Sequence, residues 1–150
     1  MDMRAHILAG YRNYARFTGR TARPEFWTFA VFLLVALIVL TLVAPMLGGA
    51  FLLVSALPGT AATVRRLHDM GRTGWWVLLP AIVLPAWLMV WIASAAAALA
   101  VRVDLLDDDR YFLGATGIAF LAAAIFGTWL AAPSDPGPNA YGPAPQGGAS

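Results

Sequence analysis

The sequence predicts an all-α, polytopic membrane protein in which four transmembrane helices follow an N-terminal amphipathic interfacial helix. Three observations carry this. The 150 residues are 60% hydrophobic and 12% charged, where soluble domains average about 45–50% and about 25%. Charged side chains are missing from Phe26 to Val64, from Thr73 to Val101 and from Tyr111 to Ser134. Each gap exceeds the roughly 20 residues that cross a ~30 Å hydrocarbon layer. No polar stripe runs along these segments, as it would along soluble helices of that length.

Residues 1–25 read as a cytoplasmic amphipathic helix and a turn. On a helical wheel Ile7, Leu8, Tyr11, Tyr14 and Ala15 share a face, with Arg12 and Arg16 beside it and Asn13 opposite. An apolar face edged with arginine suits the head-group layer; the alternative is a helix packed under its own membrane domain. Thr18-Gly19 breaks the helix. Thr21 is placed to cap the next one, with Pro24 and Glu25 in its first turn.

The membrane domain, residues 26–132, divides into spans of about 26–47, 50–66, 75–100 and 111–132, bounded by the charge gaps. Gly48-Gly49 supplies the first turn. Pro58-Gly59 interrupts the second span and calls for a kinked helix buried among its neighbours. Trp75 and Trp91 lie about 24 Å apart along the third span and fit opposite interfaces, as Tyr111 and Trp129 do on the fourth. The tail, 133–150, is rich in proline and glycine and is expected to be disordered or draped on the cytoplasmic face.

All ten basic residues are arginine, in a chain of formal charge +2. Five precede the first span and three lie between the second and third, whereas the loop "RVDLLDDDR" sets two arginines against four aspartates. The positive-inside rule therefore places both termini in the cytoplasm. The run from Phe26 is too long for a signal-peptide core, so no cleaved leader is expected.

Three segments, "FTGRTARPEFW" (17–27), "RRLHDMGRTGWW" (65–76) and "PGPNAYGPAP" (136–145), resemble those of the "domain of unknown function 805" family of bacterial inner-membrane proteins, over most of the chain. The resemblance implies a small polytopic membrane protein and brings no reaction with it. The chain departs from the pattern at Ala140, where a basic residue is usual, and in the longer apolar region after the tryptophan pair.

The residues between Arg65 and Trp76 are where chemistry would reside. His68 and Asp69 could form a base and its orienting carboxylate, but no cysteine or nucleophile motif accompanies them, and only His6 offers a second imidazole. Catalysis, metal binding and a cofactor are therefore not expected. As a membrane edge, every residue has a duty. Arg65 and Arg66 suit a helix C-terminus, Gly71 a left-handed cap, Thr73 a helix start and Trp75-Trp76 an anchor. Asp69 is three residues from Arg66 and four from Arg65, and an exposed pair with either is worth only about 0.2–0.5 kcal/mol.

The remaining reading is recognition of an anionic group. Arg20, Arg65, Arg66 and Arg72 would converge on the cytoplasmic face, with Trp27, Trp75 and Trp76 setting their depth. Asp69 would orient them, and His68 would add a donor whose charge follows pH. "GRT" occurs twice, at 19–21 and 71–73, each time before a Trp-led span. The expected partners are anionic inner-leaflet lipids, with a homo-oligomer or membrane-protein partner and no nucleic acid. The protein is thus read as a non-catalytic accessory or interaction protein. The alternative is an oligomeric small-solute or ion transporter, whose mid-membrane polar candidates are Thr41, Ser55, Thr60, Ser94, Thr116 and Thr128. The aspartate-rich loop lacks the spacing of a calcium-binding loop. Ala115, Ala119, Ala123 and Gly127 recur every four residues as a small-residue ridge for helix packing.

Overall fold

The computed structural model describes residues 2–99 and 109–145. The acidic loop expected between the third and fourth spans lies largely outside the described residues (100–108), as does the end of the tail (146–150). The elements are α1 (Met3–Arg12), α2 (Arg23–Val43), α3 (Pro45–Asp69), a 3₁₀ turn (Gly74–Val77), α4 (Leu78–Leu99) and α5 (Asp109–Ala131). Among the described residues no strand forms, only an isolated bridge between Asn139 and Gly142. Four stretches are long and apolar enough to cross a membrane: Arg23–Val43, Pro45–Asp69, Gly74–Ala93 and Leu113–Ala131.

The chain separates into two compact units. The first comprises Met1–Trp76 with Trp129–Ser150. Its core is the α2–α3 hairpin, where Phe26, Phe29, Ala61, Ala62, Val64 and Leu67 are buried. The hairpin turns at Ala44, not at the expected Gly48-Gly49. A proline begins α3, and its ring pushes Ala44 into an extended conformation (φ −157°, ψ 121°) while suiting the first turn of the helix it opens. Gly48 instead permits close packing, since a Cβ there would lie 2.9 Å from the Thr41 backbone. The second span is therefore longer than its expected 50–66 at both ends. Pro58 sits fully buried inside α3, which continues unbroken to Asp69.

α1 packs on this hairpin. Tyr11 meets Phe29 and Phe32 edge-on at 5.4 and 6.3 Å. Its hydroxyl lies 3.4 Å from Ser55 Oγ, and His6 Nδ1 lies 3.4 Å from Thr28 Oγ1. The buried residues of α1 are His6 and Gly10, whereas Leu8 and Tyr14 are exposed. The packed face is thus rotated from the expected one. The helix ends at Arg12, so Tyr14 and Ala15 lie beyond it and cannot extend its stripe. Nor does Thr21 cap α2. Ala22 occupies that position without a side-chain bond, and the Thr21 hydroxyl accepts from Arg65 instead.

The second unit is Val77–Thr128. Within it Trp87 Nε1 donates to Thr116 Oγ1 at 3.3 Å, and Trp87 and Trp91 meet edge-on at 6.0 Å. Of the small-residue ridge only Ala119 is buried; Ala115 and Gly127 are half-buried and Ala123 is exposed. Steps of four residues advance about 40° beyond a full turn, so a ridge at this spacing winds off any one face. Among the described residues of α5, Ala119, Phe126 and Leu130 are buried, a spacing that stays in register with the helix.

Along the spans, Thr41, Thr60 and Thr128 donate their hydroxyls to carbonyls of their own helix. Lipid offers no other partner, so polar side chains there close on the backbone. A test of the α1 packing follows from Gly10, where a Cβ would come within 2.5 Å of the Phe29 ring. Gly10→Val should destabilise the first unit by about 1–3 kcal/mol, the usual result of overpacking a filled core. Thermal melting in detergent should show the drop, with Gly49→Ala, which meets open space, as the near-neutral control.

Candidate functional site

The C-terminal end of α3 is enclosed on every side: Ala61, Ala62 and Val64 through Asp69 are all buried. The helix stops in a Schellman motif. Arg72 N donates to Leu67 O at 2.9 Å and Gly71 N to His68 O at 3.1 Å, with Gly71 in the left-handed region at φ 66°. This termination directs consecutive side chains to different neighbours, because they stand about 100° apart on a helix.

Asp69 is the centre of the site. Its carboxylate is fully buried and accepts three bonds, from Arg20 Nε at 3.0 Å, from Arg66 and from the Ser134 hydroxyl. Arg20 uses all five of its N–H donors. Besides Asp69 Oδ1 they reach the carbonyls of Asp69 (3.3 Å), Asp135 (2.6 Å), Gly137 (2.6 Å) and Gly142 (3.4 Å). Arg66 donates to Asp69, to Ser134 Oγ and to the carbonyls of Leu130 and Ala132. Those carbonyls end α5, where a helix carries unpaired acceptors and the negative pole of its dipole. Arg65 does the same for α1, donating to Asn13 O at 3.0 Å and Arg16 O at 2.6 Å, while its Nε donates to Thr21. Three buried guanidiniums thus tie together the end of α1, the approach to α2, the ends of α3 and α5, and the tail.

The tail is part of this site. Residues 133–145, expected to be disordered or draped, fold across the end of α3. Asp135 N donates to Asp69 O at 3.0 Å, and Asn139 Nδ2 donates to His68 O at 2.9 Å. Tyr141 stacks on His68 at 3.8 Å between ring centroids and 4° between planes. Apolar burial does not explain the order, since no residue from 133 to 145 is buried; hydrogen bonds to arginine and to the α3 terminus do.

The structure therefore brings Arg20, Arg66, His68 and Asp69 together and gives Arg65 to α1. Arg72 lies apart, with its guanidinium carbon 4.0 Å above the Trp129 ring, which Trp76 meets edge-on at 5.0 Å. Trp75 is 78% exposed, and Trp27 and Trp76 are also exposed. Of the two local pairs open to Asp69 the one with Arg66 forms and the one with Arg65 does not; the carboxylate is buried rather than exposed, and is also paired with an arginine 49 residues away. Ser134, Asp135, Asn139 and Tyr141 were not among the expected site residues. For Asn139 and Tyr141 the signal was the "PGPNAYG" motif, in which an asparagine and a tyrosine stand out from a background that otherwise reads as linker; Ser134 and Asp135, just before it, carried none.

The family described as "Protein of unknown function (DUF805)" matches residues 14–143, a range that holds Arg20, Arg65, Arg66, His68, Asp69, Ser134, Asp135, Asn139 and Tyr141. Inner membrane protein YhaI of Escherichia coli K12 is 36% identical over 90 residues, which is 55% of this chain and 76% of that protein. Inner membrane protein YhaH of the same organism is 35% identical over 97 residues, covering 57% and 80%. No solved structure matches.

Removing one partner of a buried ion pair strands the other charge, at about 3–5 kcal/mol. Asp69→Ala should therefore cost at least that much, because two guanidiniums lose their counter-charge. Arg66→Met together with Asp69→Met should recover part of the loss. Melting curves of the single and double variants check the coupling.

Proposed function

The chain belongs to the DUF805 family, and on that footing we propose that it is a non-catalytic accessory protein of the bacterial inner membrane, with both termini in the cytoplasm, whose arginine- and tryptophan-rich end engages anionic lipid. The observation that carries this reading is the division of labour among the arginines. Arg20, Arg65 and Arg66 are turned inward and spent on Asp69 and on backbone carbonyls. Arg4, Arg12, Arg16 and Arg23 are exposed and Arg72 half-exposed, in the same unit as exposed Trp27, Trp75 and Trp76. A rim of cations beside indoles is the arrangement that meets an anionic head-group layer.

Non-catalysis is supported by how fully the centre is engaged. A general base needs a lone pair facing substrate, and the Asp69 carboxylate is surrounded by three internal donors. The membrane placement is supported by the four apolar spans and by the names of the two relatives. The cytoplasmic placement of the termini rests on the arginine asymmetry, since α1, the α3 end and the tail share one unit rich in arginine.

Each basic residue at an anionic surface is worth about 1 kcal/mol. Replacing Arg12, Arg16, Arg23 and Arg72 by Gln should strip phosphatidylglycerol from the purified protein, read by native mass spectrometry, without lowering its melting temperature. Equal retention would overturn the lipid reading, and solute flux in proteoliposomes would favour a transporter in its place. For orientation, single cysteines replacing Thr18 and Met70 should react with an impermeant thiol reagent only after the membrane is opened. A cysteine replacing Asp108 should react in intact cells, and the reverse pattern would invert the protein.

A further inference from the structure

The buried charges around Asp69 do not balance. Arg20 and Arg66 bring two positive charges, with side chains 1% and 0% exposed, to a single carboxylate. The Asp135 carboxylate faces Asn139 Nδ2 at 3.3 Å, and Arg20 reaches only the Asp135 backbone carbonyl. Three of the five donors of Arg20 thus end on neutral carbonyls of the tail, those of Asp135, Gly137 and Gly142. A guanidinium in a secluded site binds anionic oxygen more strongly than neutral carbonyl oxygen, and its fork matches a phosphate. The segment supplying those carbonyls buries no residue and is otherwise held by Ser134 and the Asp135 amide on Asp69, by Asn139 on His68 O and by the Tyr141–His68 stack.

We propose that Arg20 and Arg66 form a phosphate-binding site and that residues 133–145 are its displaceable cover. In the covered state the tail carbonyls occupy the positions of phosphate oxygens. When the tail lifts, a phosphate group takes the Arg20 donors and supplies the missing negative charge, while Asp69 continues to orient both arginines. Lifting the tail breaks its bonds to the C-terminal end of α3, those of Ser134 and the Asp135 amide to Asp69 and of Asn139 to His68 O, but the Arg65 bonds to α1 need not move, because the tail contributes to none of them. Lifting the tail also frees the His68 ring, whose buried Nδ1 has no partner in the covered state, as an additional donor at the edge of the site. This extends the lipid-facing reading from the exposed rim to the buried arginines and rests on it for the source of the ligand.

Four amides report on the cover: those of Asp135, Asn139, Tyr141 and Gly142, which donate to Asp69 O, Gly142 O, Asn139 Oδ1 and Asn139 O. Their hydrogen exchange is measured on the wild-type protein in phosphatidylcholine nanodiscs, then with phosphatidylglycerol added, then with inorganic phosphate added. Faster exchange with phosphatidylglycerol is expected and assigns the site to an anionic lipid; acceleration by inorganic phosphate alone assigns it to free phosphate. Unchanged exchange under both overturns the proposal. As a second measurement, Asn139→Ala with Tyr141→Ala loosens the cover and should retain one more anionic lipid, or one phosphate, than wild type by native mass spectrometry. A loosened variant that binds no more than wild type also overturns it. Repeating the exchange on the variant with Arg12, Arg16, Arg23 and Arg72 replaced by Gln separates the two readings, because that protein loses the rim and keeps the covered site.

Discussion

The rest of the structure depends on one buried carboxylate held between two guanidiniums. Asp69 ends α3, Arg20 precedes α2 and Arg66 reaches the end of α5. A buried charge of this kind is costly to place and more costly to leave unpaired, so each partner fixes the positions of the others. The contribution lies less in net stability than in uniqueness. Apolar helices in lipid have little hydrophobic drive to choose one neighbour over another, whereas five guanidinium donors accept few arrangements. Arg65 applies the same device to α1, and the capped helix ends show why arginine is used. Its planar fork spans two carbonyls at once, and the last turns of a helix expose several.

The fold class was legible in the sequence because lipid leaves a plain record: long uncharged runs separated by arginines. The boundaries were less so. Gly-Gly looked like a turn, yet an X-Pro pair four residues earlier settled the matter: the residue before a proline is biased toward extended conformations, and Ala44 adopts one, whereas the residue before Pro58 stays helical inside α3. The α1 face was misaligned because the helix stops at Arg12, and a wheel drawn through Ala15 counts residues that are no longer on it.

The site was half legible. Arg66 and Asp69 at a three-residue spacing signalled a pair, but the same spacing on an exposed face would have carried little energy. What made the pair central was its burial and a third partner 49 residues away, which no local pattern encodes. Neighbouring Arg65 and Arg66 look interchangeable in sequence; they diverge because they leave the helix in different directions toward different helix ends. The tail was the least legible part. Composition measures how much apolar surface a segment can bury, and this one buries almost none. Its order comes from main-chain carbonyls, which every sequence possesses and which composition therefore cannot report.

The α2–α3 junction has a consequence for how the protein enters its membrane. A single residue, Ala44, joins two spans, and no charged side chain lies between Glu25 and Arg65. The pair can therefore slip into the bilayer as a closed hairpin from one surface. Nothing charged crosses the hydrocarbon, so this step has no need of an applied potential or of a pore wide enough for an ion. The charged groups that later knit the helix ends together all remain on the surface from which the hairpin started. Insertion and locking are then separate events: the first needs only the greasiness of residues 26–64, and the second waits until α5 and the segment after it arrive on that same surface.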